Sequence, residues 1–126
     1  EKALRQDPTN APAHFNLGLL QAERGDMKAA QEHLRASLRL DPTMAEAAFN
    51  LGLLLSENRP GEALPLLKQA VRLQPQEPRF SYTLAFYMNR AGDQDGATKV
   101  LTKLLRAHPQ SQEATLLLRQ IQSRRP

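Results

Sequence analysis

The chain has 126 residues, 40% hydrophobic and 24% charged, with no cysteine and no tryptophan; this is too apolar for disorder and excludes a disulfide framework, thiolate metal ligands and a cysteine nucleophile. No apolar run approaches the roughly 20 residues needed to cross a bilayer, so membrane insertion is not expected. The net charge of +4 is lopsided, with 7 Lys/Arg against 9 Asp/Glu in residues 1–63 and 10 against 4 in residues 64–126, which favours anionic partners for the second half only if it is more than a solvated helix surface.

In chain order, Ala3 and Leu4 ahead of Asp7-Pro8 read as the last turns of a helix. The start at Glu1, without a methionine, reads as a cut within a longer protein. A full helix is predicted over Ala11–Arg24, with Ala13, Leu17 and Leu20 at helical spacing and Gly25-Asp26 to end it. Met27–Leu40 follows, with Ala30, Leu34, Ser37 and Leu38 as its stripe. Next come Ala45–Glu57, Pro60–Leu73, Pro78–Ala91 (closed by Gly92-Asp93) and Gln94–Ala107, the last with Ala97, Leu101, Leu104 and Leu105 inward. A final amphipathic helix presents Ala114, Leu117, Leu118 and Ile121 on one face and turns Thr115, Arg119 and Gln122 outward. The intervals leave no room for strands, so the fold class is all-α.

Four prolines punctuate these elements. Pro8, Pro42, Pro75 and Pro109 are 34, 33 and 34 residues apart. The stretches Phe15-Asn16-Leu17-Gly18, Phe49-Asn50-Leu51-Gly52 and Tyr82-Thr83-Leu84-Ala85 superimpose on that period, as do the pairs Ala30/Leu34, Ala63/Leu67 and Ala97/Leu101. A fixed period of this length marks an array in which each unit buries its apolar face against its neighbours.

These residues carry a resemblance: the chain is similar to tetratricopeptide repeat (TPR) proteins, whose pattern runs large residue, Leu-Gly, large residue, then Ala, a large residue four later, and a closing Pro. The resemblance implies a right-handed superhelix, an α-α solenoid treated as one domain over 1–126. Residues 1–10 are the end of a truncated repeat, 11–44, 45–77 and 78–111 are three full repeats, and 112–126 is a capping helix. Two departures are visible. The leading aromatic of the pattern is replaced by His14, Ala48 and Ser81, so packing there must come from elsewhere. The second unit is one residue short and carries Pro60 and Pro65, which predicts a local irregularity.

All six aromatic residues, Phe15, Phe49, Phe80, Tyr82, Phe86 and Tyr87, lie in the first helices. The resemblance places first helices along a concave groove, so the column Phe15, Phe49, Tyr82, extended by Leu19, Leu53 and Phe86, is a candidate binding surface. Aromatic stripes at helical spacing serve packing at least as often. Asn16 and Asn50 offer carboxamides that can pair with the backbone of an extended peptide whatever its sequence. Glu23 and Glu57 against Arg79 and Arg90 would make such a groove acidic at one end and basic at the other. The carboxylate clamp that holds chaperone tails in some TPR proteins is not expected. Phe15 and Leu19 stand where it needs basic and amide groups, and Thr83 stands where it needs a second cation.

The expected function is a scaffold that binds an extended or helical segment of a protein partner in the groove. The alternative is a structural spacer within a larger protein. Residues from Pro78 onward are similar to terminal repeats of some bacterial TPR proteins that also carry multihaem cytochrome domains. No C-x-x-C-H occurs here, so no cofactor is assigned to this chain. Catalysis is not expected: His14, His33 and His108 have no metal-binding spacing, and His14 facing His33 would be two imidazoles without the third ligand a zinc site needs. The basic stripe Lys99, Lys103 and Arg106, joined by Arg119, Arg124 and Arg125, lacks interleaved aromatics, so nucleic acid is not an expected partner. Self-association through exposed repeat ends is a further expectation. The sequence reads as soluble and leaves cytoplasm and periplasm open.

Overall fold

A computed structural model describes residues 10–124. The expectations for residues 1–9, including the truncated repeat ending at Pro8, and for Arg125 lie outside the described residues. Among the described residues the secondary structure is seven α-helices and no strand: α1 (Ala11–Glu23), α2 (Met27–Leu40), α3 (Ala45–Leu55), α4 (Pro60–Leu73), α5 (Pro78–Arg90), α6 (Gln94–Ala107) and α7 (Gln112–Ser123). None is long and apolar enough to cross a membrane. The chain divides into two compact units, Glu1–Leu73 and Gln74–Pro126; α1 to α4 lie in the first and α5 to α7 in the second.

Local chemistry accounts for the helix ends. Asn10 caps α1 by accepting from Ala13 N–H at 2.9 Å, and Asp93 caps α6 by accepting from Gly96 N–H at 2.8 Å. Gly25 and Gly92 take positive φ of 84° and 95°, which a residue with a Cβ resists. There the N–H of Asp26 reaches Gln21 O at 2.9 Å and that of Asp93 reaches Met88 O at 2.9 Å, the paired closure of a Schellman turn. Asp26 and Asp93 therefore end one helix with their backbones and begin the next with their side chains.

The link between α3 and α4 has no such glycine. α3 stops at Leu55, short of the expected Glu57, where Ser56 Oγ donates to Gly52 O at 2.7 Å and Arg59 N–H donates to Leu55 O at 2.7 Å. Pro60 opens α4, where its missing N–H costs nothing. Pro65 sits in the second turn of α4, so the one helical bond it forfeits is to the exposed Gly61.

The paired helices are held by a leucine seated on a small residue. A Cβ on Gly18 would lie 3.0 Å from Leu34 Cγ, and one on Gly52 would lie 2.8 Å from Leu67 Cδ2. Leu34, Leu67 and Leu101 are fully buried, as are Ala30, Ala63 and Ala97 one turn earlier. Each buried leucine is worth about 1.5–3 kcal/mol relative to exposure. In the first unit Leu34, Leu51, Leu55 and Ala63 form a cluster onto which Phe15, Leu38, Leu54 and Leu66 pack. The second unit buries Phe80, Leu84, Met88, Leu101 and Leu104 together with Ala114, Leu117 and Ile121 of α7. Leu118 is only half-buried, and Leu116 stands 60% exposed.

Gly52→Ala is expected to lower the free energy of unfolding by about 1–3 kcal/mol, because the methyl overpacks Leu67. Gly61→Ala, in the same pair of helices but with nothing within 4 Å of its added Cβ, should raise it by about 0.5–1 kcal/mol through helix propensity. Urea denaturation followed by circular dichroism checks both signs.

Candidate functional site

In the first unit the candidate residues occupy matching positions on α1 and α3. On α1, Phe15 and Leu19 are half-buried while Asn16 and Glu23 are exposed. On α3, Phe49 is 2% exposed, Asn50 half-buried and Leu53 37% exposed, and Glu57 falls in the turn after the helix. The phenylalanine column thus faces inward, Phe15 against the leucine cluster and Phe49 within the core. The asparagine column faces out. Asn50 Nδ2 donates one of its two N–H groups to Glu46 O, 2.7 Å away one turn back.

In the second unit Arg79, Tyr82, Phe86 and Arg90 follow one another along a single face of α5, at helical steps of three, four and four residues. Tyr82 and Phe86 lie 6.4 Å apart, and Phe86 meets Tyr87 edge-on at 5.0 Å. The Arg90 guanidinium sits 5.8 Å from both the Phe86 and Tyr87 rings, and that of Arg79 lies 5.2 Å over Phe80. Such contacts hold a guanidinium against a ring by cation–π attraction.

Arg79 and Tyr82 also line an open cleft of about 570 Å³ shared with Glu77, Pro78, His108, Gln110, Ser111 and Glu113. It lies where the N-terminal ends of α5 and α7 come together. Both ends are already capped, by Glu77 accepting from Arg79 N–H at 3.2 Å and by Ser111 accepting from Ala114 N–H at 3.3 Å. Burial pushes the Tyr82 phenol above its ordinary pKa, and the carboxylate of Glu113 pushes it further the same way. His108, Gln110 and Glu113 are absent from the sequence-derived set. They belong to the α6–α7 connection and the first turn of α7, which the repeat period does not align with the first helices.

Outside this set, His14 and His33 meet between α1 and α2, their Nδ1 atoms 3.0 Å apart and their rings stacked at 5.2 Å between centroids. His33 has its pKa lowered, first by burial and then by His14, with Glu32 opposing. In the first unit, imidazole stacking therefore replaces the leading aromatic of the repeat pattern. Its counterparts Ala48 and Ser81 are buried outright. The basic stripe of α6, Lys99, Lys103 and Arg106, borders a shallow depression with Thr98 and Thr102. Among the described residues there is no group of three or more His, Cys, Asp or Glu placed to hold a metal ion.

Glu113→Gln removes the charge that opposes ionisation of Tyr82 and leaves its burial in place. The Tyr82 pKa is expected to fall while staying above the ordinary tyrosine value of about 10. An ultraviolet phenolate titration of a Tyr87→Phe background reads Tyr82 alone and checks the direction.

Comparison with known proteins adds the following. Models of the tetratricopeptide repeat match residues 54–121, 17–78 and 1–32. Among solved structures, the MamA protein superimposes with a TM-score of 0.87 at 25% identity, over 97% of this chain and 67% of that one. The first TPR domain of Spaghetti (RPAP3), bound to the HSP90 peptide SRMEEVD, gives 0.80 at 18% identity over 90% of each chain. YrrB, described as a TPR protein with an unusual peptide-binding site, gives 0.84 at 18% identity over 95% of this chain and 62% of its own. No curated protein sequence matches.

Proposed function

Because the chain belongs to the tetratricopeptide repeat family, an assignment that supports a protein-interaction scaffold, we propose that its first helices bind an extended or helical peptide segment of a protein partner. The repeats on this reading are 11–44, 45–77 and 78–111, and residues 112–126 cap the array. The observation that carries the proposal is the face of α5. There Arg79, Tyr82, Phe86 and Arg90 combine half-exposed aromatic rings with exposed guanidinium groups beside an open cleft. Aromatic and arginine anchors of this kind dominate protein interfaces, since they give large contact area and directed donors at small entropic cost. In the first unit the proposed contact residues are Asn16, Leu19 and Glu23 on α1, Asn50 and Leu53 on α3, and Glu57 just after it. The peptide bound by the RPAP3 domain and the peptide-binding site named for YrrB support this class of ligand.

Phe15 and Phe49 contribute from behind the surface. The burial of Phe49 favours, for that column, the second reading of a purely structural array. The two readings separate by experiment. Peptides selected from a random phage-displayed library against the wild-type chain provide a ligand whose affinity can be measured by fluorescence polarisation. Tyr82→Ala and Asn16→Ala are expected to weaken it by about 1–3 kcal/mol, or roughly fivefold to a hundredfold, without change in helical content. Phe49→Ala is expected instead to cost about 3–5 kcal/mol of stability. Selected peptides that bind both surface variants as tightly as the wild type would leave the structural role standing.

A further inference from the structure

We propose that His14 and His33 form a proton-operated latch between α1 and α2, closed while the imidazole pair shares one hydrogen between its two Nδ1 atoms and released when both rings are protonated. At 3.0 Å the two Nδ1 atoms are hydrogen-bonded, so one ring carries its proton on Nδ1 and the other presents a bare Nδ1 lone pair. The accepting ring then holds its own proton on Nε2. The first proton taken up in acid goes to Nε2 of the donating ring, giving an imidazolium that still donates to its neutral neighbour. The second has one place to go, the accepting Nδ1. Two N–H groups then point at each other, and two like charges lie with ring centroids 5.2 Å apart. The geometry tolerates the first proton and cannot hold the second.

The surroundings favour the same order of events. The helices packed on the pair carry Glu23 on α1, Lys28, Glu32, Arg35 and Arg39 on α2, and Glu46 on α3. Of these, Glu32 is the one whose field acts to keep His33 charged, and burial together with His14 outweighs it. His33 binds its proton less tightly in the folded chain than in the unfolded one, so the unfolded chain takes up more protons as pH falls below the ordinary histidine value of about 6.5. Stability contributed by the pair is full above that value and is lost as pH falls through it toward the folded one. Among the described residues no group of three or more His, Cys, Asp or Glu is placed to hold a metal ion there. The latch stands independently of whether α1 binds a peptide.

The test is a proton NMR titration of the imidazoles in the whole chain from about pH 8 to about pH 5, with amide hydrogen exchange followed over the same range. His33 is expected to complete its titration below the ordinary value. Exchange in α1 and α2 should rise several-fold relative to α5 and α6 as His33 takes up its proton. In His33→Asn, and separately in His14→Asn, that acid-induced rise should disappear. Titration of His33 at the ordinary value overturns the proposal. So does exchange in α1 and α2 that tracks that of α5 and α6 throughout.

Discussion

The helix pairs α1/α2, α3/α4 and α5/α6 each turn on a place where a side chain is small or absent. Gly18 lets Leu34 close to 3.0 Å of where its Cβ would be, Gly52 does the same for Leu67 at 2.8 Å, and Ala85 is buried at the equivalent step of the second unit. The contact fixes how far apart the axes lie, and it also fixes the rotation of each first helix about its own axis. A residue three positions before the glycine is about 60° from it around the helix, and a residue two before is on the far side. Phe15 and Phe49 stand at the first of these positions and Asn16 and Asn50 at the second. The phenylalanines are therefore drawn into the core with the glycines, and the asparagines are turned toward the surface. What divides packing from candidate binding residues is distance along the helix from the small-residue step.

This accounts for what could be read in advance and what could not. Helix ends marked by Gly25-Asp26 and Gly92-Asp93 were legible because glycine at positive φ and an aspartate cap are each local, and here they act through the same two residues. The end of α3 was not, since no glycine marks it. Ser56 closes the helix by bonding back to Gly52 O, and a serine at that place carries no boundary signal in sequence. Aligning Phe15, Phe49 and Tyr82 by period puts each three residues before Gly18, Gly52 or Ala85. The same alignment could not tell that Phe49 is covered while Tyr82 is half-exposed, since that depends on which neighbours reach each residue. The cleft beside Tyr82 was invisible for another reason: Glu77 is some thirty residues from His108 and Glu113 in sequence and meets them only because α7 begins where α5 begins.

The departure at position 14 shows how an array accommodates a missing aromatic. A large ring at this step buries some 150–250 Å² and stabilises the pair without regard to solution conditions. Ala48 and Ser81 answer the loss by being small enough to bury outright. His14 answers it by recruiting His33 from the facing helix, so that one hydrogen bond, worth about 0.5–1.5 kcal/mol net, and a stacking contact stand in for the missing hydrophobic area. The exchange has a physical consequence that the other two do not share. An apolar contact is indifferent to protons, whereas an Nδ1–Nδ1 bond exists in some protonation states and not in others. The first helix pair thereby adds to its Gly18–Leu34 contact one whose strength depends on protonation, on the helix that also carries Asn16, Leu19 and Glu23.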